Sequence, residues 1–288
     1  MHARRDSETC PIELWDRAAA RFATHAGDAV VQWRSWGAGR PLLLVHGGAG
    51  SWRHWIRNLE VLQRRFQVLA PDLPGFGDSS LPAGMASAED MAAVLRTALD
   101  QVLPPPSPFD VVGFSFGAII AGLVAAGVQT RVGTLVLVGP GGLGLNVRPA
   151  ATLQRVGPQA TAEQIRAADR HNLAGLLVAD PGKIDDLALR VYRENVDRTR
   201  FDFGGIPATD VLARALPAVA ARVVAVYGEH DQFAPDGLEG RKQVLRATLP
   251  GIPFHVIEGA GHWVPFEAAE DFNRRVLDWL APGGRPLE

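Results

Sequence analysis

Residues 111–128, VVGFSFGAIIAGLVAAGV, contain one polar side chain, Ser115, among apolar residues and glycines. An apolar run of this length lies at the lower limit of a membrane-spanning helix. Its four glycines and its β-branched start instead favour a buried strand, a tight turn and a buried helix. The run therefore predicts that Ser115 lies on a turn between two buried elements, and no membrane segment is expected.

The rest of the chain alternates strand-like and helix-like runs. Strands are predicted at residues 30–33, 41–45, 66–70, 109–113, 134–138, 222–227 and 254–257. Helices are predicted at residues 55–65, 87–102, 116–126, 237–248 and 265–280. This alternation is typical of a parallel sheet with helices packed on both faces.

Residues 141–216 interrupt the alternation, because they contain no convincing strand and carry Ala, Arg and Leu at helical spacing. The segment is longer than a single crossover needs. We predict a helical cap over the carboxyl edge of the sheet, with a core domain formed by residues 1–140 and 217–288. The alternative is that these helices belong to the layers flanking the sheet.

Charge and cysteine content constrain the partners. The 288 residues include 29 Lys and Arg and 31 Asp and Glu, so the net charge of −2 gives no overall attraction to nucleic acid or anionic lipid. Cys10 is the single cysteine, and the charged N-terminal stretch lacks the apolar segment of a secretory signal. We expect a cytoplasmic protein that binds a small molecule, with no nucleic-acid or membrane partner; a homodimer is a further expectation.

The turn GFSFG at residues 113–117 has the G-x-S-x-G pattern of a nucleophilic serine. Glycines two positions on either side of Ser115 permit a sharp turn from strand to helix. The dipole at the start of that helix stabilises negative charge on the reacting oxygens. Ser115 is therefore the predicted nucleophile, and an ordinary glycine-rich turn is the alternative.

A nucleophilic serine needs a base, and the base needs an acid that orients it. His262 lies on a glycine-flanked loop after the last predicted strand, and Asp231 follows the preceding strand. The order Ser115, Asp231, His262 is the Ser…Asp…His order of one class of serine hydrolases. Glu229 is the alternative acid, and a structural role is the alternative for His262.

An oxyanion requires two backbone N–H donors. The first predicted donor is the N–H of Phe116, directly after the serine. The second is the N–H of Gly48, in the loop HGGAG at residues 46–50 that follows the apolar run PLLLV.

These motifs resemble the α/β-hydrolase superfamily over nearly the whole chain. The resemblance is carried, in this order, by HGGAG, DLPGFGDS, GFSFG, GEHDQFAP and GAGHWVPFE. It implies an α/β-hydrolase fold: a mostly parallel, doubly wound sheet with the helical cap inserted after the sixth strand.

Three further segments resemble the meta-cleavage-product hydrolases, which split a C–C bond in 2-hydroxy-6-oxo-dienoates: VGPGGLG, GHW and FNRR. That family has one asparagine before the nucleophile and another after the oxyanion loop, where this chain has Phe114 and His54. The cap arginine that binds the substrate carboxylate in that family corresponds to Arg190 or Arg193. The two replaced asparagines favour a related hydrolase with a more apolar pocket.

Aromatic residues near the predicted catalytic groups indicate a bulky, apolar pocket. Phe114 and Phe116 flank the serine. For the tryptophans, packing in the core is an equal alternative. The other predicted pocket residues are Trp52, His54, Trp55, Trp263, Arg190 and Tyr192.

Neither a cofactor nor a metal is expected. Residues 139–144, GPGGLG, match the dinucleotide pattern G-x-G-x-x-G, but a loop follows them. A bound pyrophosphate would therefore lack the helix N-terminus that it requires. The eight histidines are scattered without the spacing of metal ligands.

The sequence thus predicts a serine hydrolase that cleaves a carboxylic ester or lactone with an apolar or aromatic acyl group. The alternative is hydrolysis of a C–C bond in a 2-hydroxy-6-oxo-dienoate. A non-catalytic ligand-binding protein remains a third reading, because a fold alone does not set function.

Overall fold

A computed structural model describes residues 10–281 and contains one eight-stranded sheet. In spatial order the strands are β1-β2-β4-β3-β5-β6-β7-β8. The pairs β1·β2 and β2·β4 are antiparallel, and every pair from β4·β3 to β7·β8 is parallel. The strands are β1 (Ala20–Ala26), β2 (Ala29–Trp36), β3 (Arg40–Val45), β4 (Phe66–Pro71), β5 (Phe109–Phe114), β6 (Val132–Val138), β7 (Arg222–Gly228) and β8 (Phe254–Ile257).

Ten α-helices accompany the sheet within the described range. They are α1 (Pro11–Ala18), α2 (Leu59–Leu62), α3 (Ala88–Val102), α4 (Phe116–Gly127), α5 (Ala162–Leu176), α6 (Asp186–Asp197), α7 (Val211–Ala215), α8 (Glu239–Thr248), α9 (Val264–Glu267) and α10 (Ala269–Trp279). Residues 1–9 and 282–288 lie outside the described residues. The first range includes most of the N-terminal stretch in which no secretory signal is expected, and the second belongs to the predicted core domain.

The core lies on both faces of the sheet. In β3, Leu43 and Val45 pack into the cluster under α3 and α4, whereas Leu42 and Leu44 pack into the cluster under α2 and α10. Alternate residues of a strand point to opposite faces, so a strand covered on both sides must be apolar throughout. This explains the continuous run PLLLV and confirms the predicted α/β-hydrolase architecture.

Two predicted helices are divided in the structure. Residues 55–65 form a 3₁₀ turn ending at Trp55 and the short α2, and residues 265–280 form α9 and α10. The second break lies at Ala268, whose backbone leaves the helical region (φ −119°, ψ 41°). The first lies next to Asn58, whose side chain donates to Pro265 O at 2.9 Å. Asn58 thus ties the first break to the start of α9, and both predicted helices are interrupted where their periodicity indicates continuation.

Neither β1 nor α1 is among the elements predicted from the sequence. Most of β1 is exposed, so it lacks the apolar alternation that marks a half-buried strand. Its partner β2 supplies the pairing, and Trp33 Nε1 donates to Thr24 Oγ1 at 2.8 Å.

The segment between β6 and β7 contains no strand, in keeping with its helical pattern. Helices α5 and α6 pack on each other, whereas α7 lies against α4, and its Leu212 is buried in the core cluster. The limits predicted for the cap remain a prediction, and α7 packs as part of the helix layer of the sheet.

The apolar run of residues 111–128 is divided as expected, into the end of β5, a turn at Ser115 and the 12-residue α4. Across residues 10–281, the structure contains no helix with the length and apolar character needed to cross a membrane.

Gly117 is predicted to tolerate no side chain. A Cβ there would lie 2.1 Å from His46 O and 2.4 Å from Val45 O, and neither carbonyl can move without displacing β3. We expect Gly117→Ala to lower the free energy of unfolding by about 2–3 kcal/mol in urea denaturation. Gly122→Ala, also in α4, is the control: its Cβ meets only the flexible end of Leu212, and we expect a change within about 1 kcal/mol. Equal losses in both variants would contradict this account.

Candidate active site

Ser115 lies on a strained turn at the carboxyl edge of the sheet. Its φ of 55° and ψ of −119° are unusual for a residue with a side chain and cost about 1–3 kcal/mol. The turn is held by Ser115 N–H, which donates to Val138 O at 2.8 Å. A Cβ on Gly113 would lie 2.6 Å from Gly117 O, so the glycine two residues before the serine is required by close packing.

The structure brings Ser115, His262 and Asp231 together. Ser115 Oγ lies 2.8 Å from His262 Nε2, and His262 Nδ1 lies 2.8 Å and 2.9 Å from the two carboxylate oxygens of Asp231. Because a carboxylate only accepts hydrogen bonds, Nδ1 carries the proton and Nε2 is free to accept one from the serine. His262 and Asp231 are buried, whereas Ser115 is partly open to the cavity described below.

Backbone contacts orient this pair. Phe233 N–H donates to Asp231 Oδ1 at 2.9 Å, and His262 N–H donates to the side-chain oxygen of Gln232 at 2.9 Å. Glu229, the alternative acid, instead accepts the N–H of Gly259 at 2.9 Å. The geometry therefore favours Asp231 as the partner of His262.

The two predicted oxyanion donors face the same cavity as the serine. Both Gly48 and Phe116 line it, and neither N–H donates to another group among residues 10–281. The neighbouring Gly47 N–H, by contrast, donates to His54 Nδ1 at 3.2 Å. His46 fixes the same loop from below, since its Nε2 accepts the N–H of Leu73 at 2.8 Å.

A cavity of about 850 Å³ opens above these groups. Of the other residues predicted for the pocket, Phe114, His54 and Tyr192 line it. Residues that the sequence analysis did not select also contribute to its wall: Asn172, Phe203, Phe233 and Arg241. Phe233 lies two positions after Asp231 in the same motif, so the sequence could have indicated its place in the pocket. Phe203 lies in the irregular stretch before α7, where no local pattern indicates that its ring covers Gly48.

Four residues predicted for the pocket lie elsewhere. Trp52, Trp55 and Trp263 are at most 1% exposed and belong to the core cluster behind the cavity wall. Trp263 supports that wall, since its Nε1 donates to His54 O at 3.1 Å. Arg190 lies on the outer surface, where it pairs with glutamates of α1 and α6. Aromatic residues beside catalytic loops serve the core as readily as the pocket, and the ion pair with α1 is not visible in local sequence.

Glu267 joins the histidine loop to the segment before α6. Its buried carboxylate accepts the N–H groups of Gly261 at 2.7 Å, Ala179 at 3.0 Å and Asp180 at 2.8 Å. Gly261 immediately precedes His262. One side chain therefore contacts both the loop that carries the histidine and the segment between β6 and β7, other residues of which line the cavity.

Comparisons with known proteins agree with this geometry. A profile described as the alpha/beta hydrolase family matches residues 42–275, most of the chain. The protein belongs to the alpha/beta hydrolase family.

Proteins similar to this α/β hydrolase include C–C bond hydrolases and, among solved structures that share its fold, an esterase. It is 27% identical to the 2-hydroxy-6-oxo-6-phenylhexa-2,4-dienoate hydrolase of Burkholderia cepacia, over 94% of this chain and 96% of that protein. Two solved structures share its fold. A meta-cleavage product hydrolase from Pseudomonas fluorescens has a TM-score of 0.69 at 21% identity, covering 90% of this chain and 96% of that one. Carboxylesterase CesB from Bacillus subtilis has a TM-score of 0.71 at 20% identity, covering 96% and 95%.

His54 makes the α/β hydrolase sensitive to acid. Burial holds the pKa of His54 well below 6.5, and the nearby His46 and His262 lower it further. The unfolded chain therefore takes up a proton near pH 6.5 that the folded protein rejects. The contribution of His54 to stability is thus complete above this pH and is expected to fall as pH decreases below it.

We expect His54→Gln, which retains an acceptor for Gly47 N–H, to remove this contribution. Below pH 6.5, the free energy of unfolding of the wild type, measured by urea denaturation at a series of pH values, should fall by up to about 1.4 kcal/mol more per pH unit than that of the variant. The wild type and His54→Gln measured at pH 8 are the reference, because the difference between their free energies of unfolding should not depend on pH there. Parallel curves over the acid range would show that His54 does not titrate in this way.

Proposed function

We propose that this α/β hydrolase cleaves a carboxylic ester or lactone, with Ser115 as nucleophile, His262 as base and Asp231 as the acid that orients the base. The observation that carries the proposal is the continuous hydrogen-bonded chain from Ser115 Oγ through the imidazole to the carboxylate, with both links at 2.8 Å. Its serine end opens into a cavity of about 850 Å³. This arrangement suits acyl transfer, because the base reaches the hydroxyl proton directly.

The proposed reaction has two halves. Ser115 Oγ attacks the carbonyl carbon while His262 Nε2 takes its proton, and the N–H groups of Gly48 and Phe116 bind the oxyanion. His262 then gives the proton to the leaving alcohol, and an acyl-serine ester remains. Water, deprotonated by His262, releases the acid, while Asp231 stabilises the imidazolium in both halves.

The aromatic wall supports an apolar acyl group. Phe114 packs 5.0 Å from His262 between ring centroids, and Phe233 packs 4.5 Å from it on another side. Phe116 and Phe203 form a further contact at 5.6 Å beside the oxyanion loop. These rings offer little hydrogen bonding, so contact area would favour an aliphatic or aromatic acyl chain over a sugar or phosphate.

A C–C bond hydrolase of the 2-hydroxy-6-oxo-dienoate type is the second candidate. It is favoured by the relative from Burkholderia cepacia, whose name describes this activity and which matches 94% of the chain. In this reaction His262 would first assist ketonisation of the dienol, and Ser115 would then be required for cleavage. The third reading, a ligand-binding protein without catalysis, predicts an unreactive Ser115.

The test of the proposed nucleophile is turnover of p-nitrophenyl butyrate and covalent labelling with a fluorophosphonate. We expect Ser115→Ala to lower kcat/KM by at least about 10³-fold, because a triad acts as a unit. The label should be found on the peptide that contains Ser115. Ser107→Ala, in the loop before β5, is the control and should retain wild-type turnover. A wild-type protein that neither reacts with the probe nor hydrolyses esters would sink the proposal.

The two reactions are separated by assaying p-nitrophenyl acetate, butyrate and benzoate beside 2-hydroxy-6-oxo-6-phenylhexa-2,4-dienoate. Ester turnover with a stable dienoate chromophore supports the esterase. Rapid loss of the dienoate, abolished in Ser115→Ala, would assign the C–C reaction instead.

A further inference from the structure

The catalytic cavity has a strongly one-sided charge. Four arginines line it, and Asp231, already bonded to His262, is the single acidic residue of its wall. The arginines are Arg148, Arg155, Arg193 and Arg241. A purely apolar substrate needs no such charge, so an arginine without a carboxylate partner in the protein is the one available to a charged ligand.

Arg193 is neutralised by the protein itself. Its Nε donates to Asp169 at 2.9 Å, and its Nη1 donates to Asp197 at 3.2 Å. Arg190, the other arginine considered for a substrate carboxylate, is paired with Glu13 and Glu194 outside the cavity. Neither guanidinium is therefore available as the main counter-charge of a ligand.

Arg241 differs from both. It lies in α8 and is 3% exposed, yet no carboxylate among residues 10–281 forms a salt bridge with it. Its known partners are three backbone carbonyls: Phe233 O, Asn146 O at 2.8 Å, and Gly237 O at 3.5 Å. Its Nε makes no hydrogen bond within the described residues. A buried cation satisfied only by carbonyl dipoles is costly unless an anion completes its shell.

The position of Arg241 links it to the catalytic machinery. Phe233 and Gly237, two of its partners, belong to the loop between β7 and α8 that also carries Asp231. Its charge also acts on Tyr227, which lines the same cavity: burial raises the pKa of the Tyr227 phenol and the Arg241 charge opposes that rise. Arg148 and Arg155, both exposed and without a salt bridge to a described residue, add positive charge to the same wall. Charge of one sign in a cleft attracts ligands of the other.

We propose that Arg241 binds a carboxylate of the substrate, so that the natural substrate is an anion whose apolar part contacts the phenylalanines. This proposal rests on the proposed function only for the identity of the bond that is cleaved. The binding of the anion does not depend on it. Arg241 is a binding residue in this scheme, and recognition of charge is assigned to the core helix α8. Because a guanidinium presents several donors in one plane, a carboxylate is the anion that it fits best.

The first test compares charged and neutral esters of matched shape. One pair is mono-4-nitrophenyl adipate and 4-nitrophenyl 6-oxoheptanoate, with the charge on the acyl side. The other is 3-carboxyphenyl and 3-acetylphenyl hexanoate, with the charge on the leaving group. We expect the wild type to prefer the charged member of at least one pair by at least about tenfold in kcat/KM.

Variants then assign the preference to one side chain. Arg241→Met should abolish it, and Arg241→Lys, which retains the charge, should keep part of it. Arg246→Met, exposed on the same helix, is the matched control and should keep the wild-type ratio. If Arg241 only braces the loop, Arg241→Met lowers kcat/KM of charged and neutral esters by the same factor. That result overturns the proposal, as does a wild type without preference in both pairs.

A binding measurement keeps the inference separate from catalysis and from the folding of Arg241→Met. Ser115→Ala protein is titrated calorimetrically with 4-phenylbutyrate and with the neutral 4-phenylbutyramide. At least about tenfold tighter binding of the carboxylate supports the anion site even where no ester is hydrolysed. Equal affinities overturn it while leaving the assignment of Ser115 as nucleophile unaffected.

Discussion

The approach of α4 to the end of β3, made possible by the missing side chain of Gly117, is the contact on which the site depends. It brings the turn at Ser115 against the loop that follows Val45, so that Gly48 and Phe116 line one cavity. A second close approach acts in the same way: a Cβ on Gly228 would lie 2.1 Å from Gly261 O. The loops after β7 and β8 are thereby held together. The parallel strands end at one edge of the sheet, and the glycines allow the loops at that edge to approach closely.

Buried polar groups hold these loops in place through hydrogen bonds within the protein. Asp72, fully buried, accepts the N–H groups of Trp52 and Asp78, both at 3.0 Å. His46 joins the oxyanion loop to the residue after Asp72. Breaking any of these bonds would leave a desolvated donor or acceptor unpaired, at a cost of about 1–3 kcal/mol each. The site is therefore preorganised around the serine before any substrate arrives.

The part of the site that the sequence predicts is the part encoded locally. Ser115, Asp231 and His262 each follow a strand-like run within a few residues, and parallel strands end at one edge, so the structure brings these three together as the spacing indicates. The same alternation predicts seven of the eight strands, β2 to β8, whereas β1 has no such local signal. The walls of the cavity depend instead on contacts between distant segments. Trp52 was assigned to the pocket and packs in the core, while Phe203, in an irregular stretch, covers the oxyanion loop.

The carboxylate of Glu267 limits how the segment between β6 and β7 can be changed without moving the loop of His262. Because it accepts two amides of the segment between β6 and β7 and one amide next to His262, that segment and the histidine loop share one anchor. A different crossover would preserve this anchor only if it placed two backbone N–H groups where those of Ala179 and Asp180 lie. A change elsewhere between β6 and β7 leaves the three hydrogen bonds of Glu267 intact, so the position of the histidine loop depends on one point of that long segment and not on all of it.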